Sequence, residues 1–295
     1  MQLKPLFSSD LPALARRVID THKSAAGSLC IVAGSYGMAG AAALCASGAL
    51  RSGAGYVRVV CPKSIYPILA TLVPSAVFVP LDDSEGGYSA KDVERVRETM
   101  KVSSAIAVGP GLSGSAAGSL LEEILADCGI PVVLDAGAFD FITDIPVARG
   151  AMQSGLIITP HPGEAARLLG VSAGEIQADR KAAVEELAAR YGAVAVLKGA
   201  LTLVCDGKCL YENTTGNAGM AKAGTGDVLT GVIGALAAGG VGPFDAGCLG
   251  VYLHGRAGDI AGMAKGRGLL AEDITEAIPE AFLEYEGGTF ERGGV

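Results

Sequence analysis

The densest chemistry in the sequence lies in Asn213-Thr-Thr-Gly-Asn-Ala-Gly-Met-Ala-Lys-Ala-Gly-Thr-Gly-Asp227, which runs into an apolar helical stretch from Val228 to Ala238. Gly224 and Gly226 let the backbone turn tightly around Thr225 and expose successive N–H groups. Such donors at a helix N-terminus, where amides are unpaired and the dipole is positive, favour a phosphate or a developing anion. Asp227 follows directly, placed to take a proton from a hydroxyl beside that anion hole. A Gly-x-Gly-Asp can equally be a turn whose Asp merely caps the helix. The long Gly/Asn-rich lead-in favours the anion site.

Other reactive types stand at the ends of apolar runs. Lys198 ends one such run, as a ligand contact or simply as a solvated lysine. His161 lies between two prolines, which fix the loop and present the ring, and Gly163-Glu164 opens a helix behind it. Asp135 ends a strand, where open α/β sheets keep their ligand sites, so it is a candidate metal or substrate contact. Gly34-x-x-Gly37-x-x-Gly40 follows a strand but lacks the Gly-x-Gly start, and Tyr-Val-Arg-Val-Val ends without a ribose-binding acid. Those glycines therefore suit close approach to a substrate better than a Rossmann phosphate loop. No Gly-x-x-x-x-Gly-Lys-Ser/Thr occurs, which argues against a P-loop enzyme. Arg51 and His254 receive no role.

These residues must be positioned by short, mostly β-branched runs: Leu29–Ala33, Tyr56–Val60, Ala76–Val79, Ala105–Val108, Val132–Leu134, Leu156–Ile158 and Ala193–Leu197. Most are apolar without alternation, as for strands covered on both faces. Helical patterns lie between them. Ser115 is a candidate cap for a helix with Leu120, Leu121, Ile124 and Leu125 on its apolar side. Val184, Leu187, Ala188 and Tyr191 mark another helix, stopped by Gly192. The alternation predicts an α/β fold with a mainly parallel sheet and helices on both faces. Ala200–Tyr211 reads as a late antiparallel hairpin turning at Asp206-Gly207. Ser84–Tyr88 is expected to be a surface loop, and 1–295 a single domain.

The chain has 295 residues, half of them hydrophobic, and can bury a large core without disulfide or metal staples. Its net charge of −8 argues against a nucleic-acid or anionic-membrane surface, and no apolar stretch is long enough to span a bilayer. The N-terminus lacks the apolar core of a secretory signal, and seven scattered cysteines read as small buried hydrophobes in a reducing cytoplasm. Cys205 and Cys209 lack a second ligand pair for zinc.

Asn217–Asp227, with the following Val-Leu-Thr-Gly, resembles the signature of the ADP/ATP-dependent NAD(P)H-hydrate dehydratases of the ribokinase-like superfamily. Other segments match in order along nearly the whole chain: His22-Lys23, Gly34–Ala42, Leu50–Gly55, Val108–Leu112, Asp135-Ala136, Thr159–Glu164, Leu197–Gly199 and His254-Gly255. The resemblance implies a three-layer fold and repair of the S-epimers of NADHX and NADPHX. The ring hydroxyl would be phosphorylated by ADP or ATP, and phosphate elimination would restore NADH or NADPH. It assigns Asp227 as base and Gly224, Thr225 and Gly226 as the anion hole. Lys198, Gly199, Ala200, Leu201 and Thr202 would line the nucleotide, with Gly226 at its phosphates. Ala41, Gly111, His161 and Asp227 would contact the hydrated dinucleotide. Magnesium is implied, with no protein ligand assigned to it. So are a homotetramer and a separate NAD(P)HX epimerase as functional partner, because the chain begins almost directly with the dehydratase segment.

Three positions depart from the family pattern: Ser24 for Gly, Gly137 for the second acid of an Asp-Ala-Asp run, and Ala223 for Gly or Ser. The Gly137 change puts a second carboxylate role in doubt. Two alternatives share much of this machinery. A ribokinase-like kinase acting on a vitamin-precursor alcohol would release a phosphorylated product, although the Gly34–Ala42 and Thr159–Glu164 loops favour the dehydratase. A non-catalytic sensor would bind ADP or ATP without turnover.

Overall fold

In strand β2 (Ser28–Val32), Leu29 and Ile31 point into one apolar layer while Cys30 and Val32 point into another. That is why the run is apolar without alternation: both faces of the sheet are covered. Burying such a Leu or Ile contributes about 2 kcal/mol. The computed structural model describes residues 3–14, 23, 26–83, 88, 90–114, 117–126, 128–142 and 154–287. His22, Ser24, the Ser115 cap and positions 84–87 of the expected surface loop lie outside them. Tyr88 at that loop's end is buried, its hydroxyl donating to the Ala33 carbonyl at 2.8 Å.

Among the described residues ten strands form one sheet: β1 (Lys4–Leu6), β2, β3 (Tyr56–Pro62), β4 (Val77–Leu81), β5 (Ala105–Val108), β6 (Val132–Leu134), β7 (Leu156–Ile158), β8 (Val194–Leu197), β9 (Leu203–Cys205) and β10 (Cys209–Glu212). Their order is β1-β10-β9-β8-β7-β6-β5-β2-β3-β4. Strands β2 to β8 run parallel, and β9 pairs antiparallel with both β8 and β10. The late hairpin is therefore present, and Asp206 closes its turn by accepting the Lys208 and Cys209 amides at 2.8 and 2.7 Å. Strand β1 pairs parallel with β10 and was not anticipated. Three residues, Lys-Pro-Leu, give no periodicity to read.

One face of the sheet is covered by α1 (Ala39–Arg51), α2 (Tyr66–Leu72), α9 (Thr225–Ala238), α10 (Pro243–Lys265) and α11 (Ala271–Tyr285). The other carries α3 (Val93–Lys101), α4 (Ala117–Ala126), α5 (Phe139–Ile142), α6 (Pro162–Leu169), α7 (Ala173–Ala178) and α8 (Arg180–Tyr191). Gly192 ends α8 in the left-handed conformation, as its position suggested. Helix α9 is buried from Val228 onwards, which explains its lack of a polar stripe. It crosses α1 so closely that a Cβ on Gly231 would lie 2.0 Å from the Cys45 carbonyl oxygen. All seven cysteines are free thiols, and only Cys209 is partly exposed.

Two features of this topology position the site. The chain leaves β2 towards β3 and β4 on one side, then returns to place β5 on the other. This reversal opens a crevice outside the carboxyl ends of β2 and β5, where open α/β sheets bind ligands. Helix α9 also begins at Thr225, earlier than the apolar run at Val228, so Asp227 lies within its first turn.

Candidate functional site

The segments that follow the strands' carboxyl ends carry the candidate residues: Gly34–Ala41 after β2, Gly109–Leu112 after β5, Asp135 after β6, Thr159–Glu164 after β7 and Lys198 after β8. The first two segments meet, with the Gly34 amide donating to the Pro110 carbonyl at 2.8 Å. Gly111 faces Met38 and Ala41, since a Cβ there would lie 3.0 and 3.1 Å from their Cβ atoms. Ala41 and Gly111 thus share one wall of the crevice.

The start of α9 closes the other side. Gly224 is its N-cap at φ +92°, a conformation that disfavours side chains. Among the described residues no side chain caps this terminus, so the capping role for Asp227 is not what the fold uses. Leu44 of α1 packs against Gly224 and ties the turn to the helix that carries Ala41.

Lys198 is largely buried rather than solvated. Its Nζ donates to Asp135 Oδ1 at 2.5 Å and lies 3.8 Å from Glu164 Oε2. It also reaches the α9 terminus, since a Cβ on Gly226 would lie 3.3 Å from Nζ. Burial works against the ammonium charge, but Asp135 and Glu164, with Asp227, outweigh it and hold the Lys198 pKa above its ordinary value. Asp135 is 1 % exposed and accepts from Thr159 Oγ1 at 2.8 Å and Thr230 Oγ1 at 2.7 Å as well as from Lys198. With both oxygens engaged, it is built as an anchor for Lys198 and the core of α9.

Asp227 is the contrasting carboxylate. Among the described residues no donor reaches it. Burial first, then the neighbouring charge of Asp135 and Glu164, pushes its pKa from 3.8 to about 7, against the opposing pull of Lys198. A carboxyl group poised there suits general-base work at neutral pH.

His161 is the N-cap of α6. Its Nδ1 accepts from the Gly163 and Glu164 amides at 3.0 and 3.2 Å, and its side chain is 55 % exposed. Glu164 is buried and answers through Oε2, which accepts the His161 amide at 2.7 Å. One carboxylate thereby stands between His161 and Lys198. Burial raises the Glu164 pKa, with Lys198 opposing and Asp135 adding to the rise.

The Gly199–Thr202 strip turns back at Leu201, whose φ is +52°, and Thr202 Oγ1 donates to the Gly199 carbonyl at 2.9 Å. Ala200 and Leu201 are exposed beside it. Arg180 of α8, unmarked in the sequence, donates to the Leu197 and Lys198 carbonyls at 3.1 and 3.4 Å and so fixes the strip's root. Gly137 offers no second carboxylate, and a Cβ there would lie 2.3 Å from the Leu112 carbonyl oxygen.

Known proteins of related sequence and fold point to one family. A family model described as NAD(P)H-hydrate dehydratase matches residues 29–280. The chain belongs to the NAD(P)H-hydrate dehydratase family. It is 42 % identical over 272 residues to an ADP-dependent (S)-NAD(P)H-hydrate dehydratase of Neisseria meningitidis, covering 88 % of this chain and 86 % of that one. It is 40 % identical to a bifunctional NAD(P)H-hydrate repair enzyme of Moorella thermoacetica, covering 96 % of this chain but 54 % of the relative. The chain thus spans about half the length of such bifunctional relatives. The crystal structure of the Bacillus subtilis ADP/ATP-dependent NAD(P)H-hydrate dehydratase, co-crystallised with ATP and Mg2+, superimposes with a TM-score of 0.79 at 30 % identity, covering 95 % and 100 % of the two chains. The ribokinase-like three-layer architecture expected for the family is the one observed.

For this family member the glycine turn, Lys198, His161 and Asp227 are drawn together at one edge of the sheet. Ala41 and Gly111 line the adjoining crevice. Sequence reading left Glu164, Arg180 and the Thr159 and Thr230 hydroxyls without roles. Only Glu164, three residues after His161 in capping-box spacing, carried a signal that could have been followed.

Proposed function

We propose that the chain dehydrates the S-epimers of NADHX and NADPHX to NADH and NADPH, consuming ADP or ATP. The observation that carries this reading is Asp227, with its pKa pushed to about 7, in the first turn of an uncapped helix whose Gly226 faces the Lys198 ammonium. Lys198 to Thr202 and Gly226 hold the nucleotide, and Ala41, Gly111 and His161 hold the hydrated dinucleotide. Asp227 takes the proton of the ring hydroxyl as its oxygen bonds to the terminal phosphorus and the bridging P–O bond breaks. The Gly224–Gly226 amides take up charge on the transferring phosphoryl group. Elimination of inorganic phosphate then restores the reduced nicotinamide ring.

The donor set fits a magnesium ion that arrives on the nucleotide. Among the described residues no three ligating side chains form a metal cage. Magnesium is commonly held by phosphates, waters and one or two carboxylates. With Asp135 saturated by its three donors and Asp227 assigned as the base, Glu164 would be the carboxylate to meet the ion. When bound, the ion would offset phosphate charge.

In this reading residues 1–295 form a single ribokinase-like unit that acts in the cytoplasm as a homotetramer and works with an NAD(P)HX epimerase. Fusion to a second activity in the bifunctional relatives supports the partnership. The exposed Ile68, Leu72 and Val77 near the β4 edge are apolar surface that an assembly would cover. Among the described residues no helix is long and apolar enough to cross a membrane.

The test is recovery of reduced-nicotinamide absorbance when the protein meets NADHX, magnesium and either ADP or ATP. Recovery with one nucleotide establishes the activity and its phosphoryl donor. A stable phosphorylated alcohol without recovery would favour the vitamin-precursor kinase.

A further inference from the structure

Helix α10 carries a buried imidazole that the proposed chemistry does not use. His254 is 7 % exposed, and among the described residues its Nε2 has no hydrogen-bond partner. The ring hydrogen-bonds to the backbone of Thr225, a bond that the unpartnered Nε2 leaves to Nδ1. Thr225 is the central residue of the anion-hole turn. Burial keeps the ring neutral, while the Thr225 contact works the other way and raises its pKa, as a carbonyl accepting from the ring N–H does, so His254 donates to the first turn of α9.

The same helix holds the other end of the segment. Asn213 Nδ2 donates to the Val251 carbonyl at 3.2 Å, Thr215 Oγ1 to the Tyr252 carbonyl at 2.8 Å, and Asn217 Nδ2 to the Gly258 carbonyl at 2.9 Å. The lead-in from Asn213 to Asn217 is thus strapped along α10 by its polar side chains. His254, within the same run of helix, secures Thr225 at the far end.

An unpartnered nitrogen in a buried position costs stability, and an apolar side chain of similar size would remove that cost. The imidazole is therefore placed here for something other than packing. We infer that His254 is a positioning residue: it fixes the Thr225 carbonyl and thereby aims the Gly224–Asp227 turn at the transferring phosphoryl group. This rests on the proposed dehydratase activity.

The experiment compares wild type, His254→Leu and His254→Asn for dehydration of NADHX, ADP and ATP affinity by calorimetry, and melting temperature. Leucine removes the donor and the unpartnered nitrogen together, whereas asparagine keeps a side-chain N–H. A packing role makes leucine the better substitute in every measurement. A positioning role puts the two orders in opposition. His254→Leu should melt at or above the wild-type temperature while kcat falls at least tenfold, with nucleotide affinity changed less than about threefold. His254→Asn should melt lower yet recover part of kcat. A leucine variant with wild-type kcat overturns the inference, as does a kcat loss that follows the melting temperature in both variants. An inactive wild-type protein would instead overturn the dehydratase reading, which separates the two failures.

Discussion

Replacing Asp227 by asparagine should abolish turnover and stabilise the protein, with the stabilisation depending on pH. In the folded chain this carboxyl keeps its proton up to about 7, against 3.8 for the ordinary group. Below about pH 4 both folded and unfolded forms are protonated and the shift contributes nothing. Between 4 and 7 the folded state retains a proton that the unfolded state has released, so this group's contribution to stability falls as pH rises. Above 7 both forms are ionised and the full cost of the buried charge is present. The interval from 3.8 to 7 corresponds to about 4 kcal/mol, and partial exposure of the side chain reduces this to about 2 kcal/mol through solvent screening. Asp227→Asn removes the charge, so it should melt above wild type by about 4 °C at pH 8, with the gap narrowing as pH falls towards 4. Loss of a general base should lower kcat by about 10²–10⁴-fold while nucleotide binding stays nearly intact, because the amides and Lys198 remain. Thermal melts at several pH values, with calorimetric ADP and ATP titrations, read all of this. A variant that melts lower at pH 8, or that loses nucleotide binding along with turnover, would refute the reasoning.

Asp135→Asn should leave the Lys198 ammonium with only the longer Glu164 contact, costing about 2–3 kcal/mol of stability. It should also move the acid limb of the rate–pH profile below 7, since Asp135 helps to raise Asp227; an unmoved limb would count against that coupling. Gly226→Ala would bring a Cβ within 3.3 Å of Lys198 Nζ, so the nucleotide KM should rise several-fold while the flexible lysine keeps the melting temperature nearly unchanged. Steady-state kinetics against ADP and ATP decide this. His161→Ala should weaken the dinucleotide and lose about 1 kcal/mol of helix capping. His161→Asn should restore the cap and the melting temperature but not NADHX affinity, and recovery of both would leave the ring no substrate role.

The sheet was legible because its strands are buried on both faces, and Ala105–Val108, Val132–Leu134 and Leu156–Ile158 coincide with the strands observed. Ends marked by a backbone requirement were also readable, as at Gly192. The start of α9 was placed three residues late, because Thr225-Gly226-Asp227 has no helix propensity and is helical through the packing of Gly224 on Leu44. Within the site, Asp227, Lys198 and His161 stood out as reactive types at strand or helix ends. Arg180 did not, because a first-turn arginine on an exposed helix looks the same whether it is solvated or reaches a strand-end carbonyl. The pairing of Lys198 with Asp135 spans 63 residues and follows from β6 and β8 flanking β7, which no local pattern reveals.

That pairing bears on how a chain of net charge −8 can hold polyphosphate. Three carboxylates, Asp135, Glu164 and Asp227, surround one ammonium, which by simple charge would repel a nucleotide. The hydrogen bonds divide them. Asp135 is neutralised in place by Lys198 and satisfied by two threonine hydroxyls. Asp227 carries its proton for much of the time near neutrality. The resting site thus keeps a small excess of negative charge, set against the positive end of α9 at its mouth. Glu164 is the charge left over, and it lies on the path from Lys198 to the His161 loop. A divalent cation on the nucleotide turns that remaining carboxylate from a repulsive neighbour into a partner. Acidic residues around one ammonium are therefore compatible with a phosphate-bearing ligand, provided that it brings its own cation.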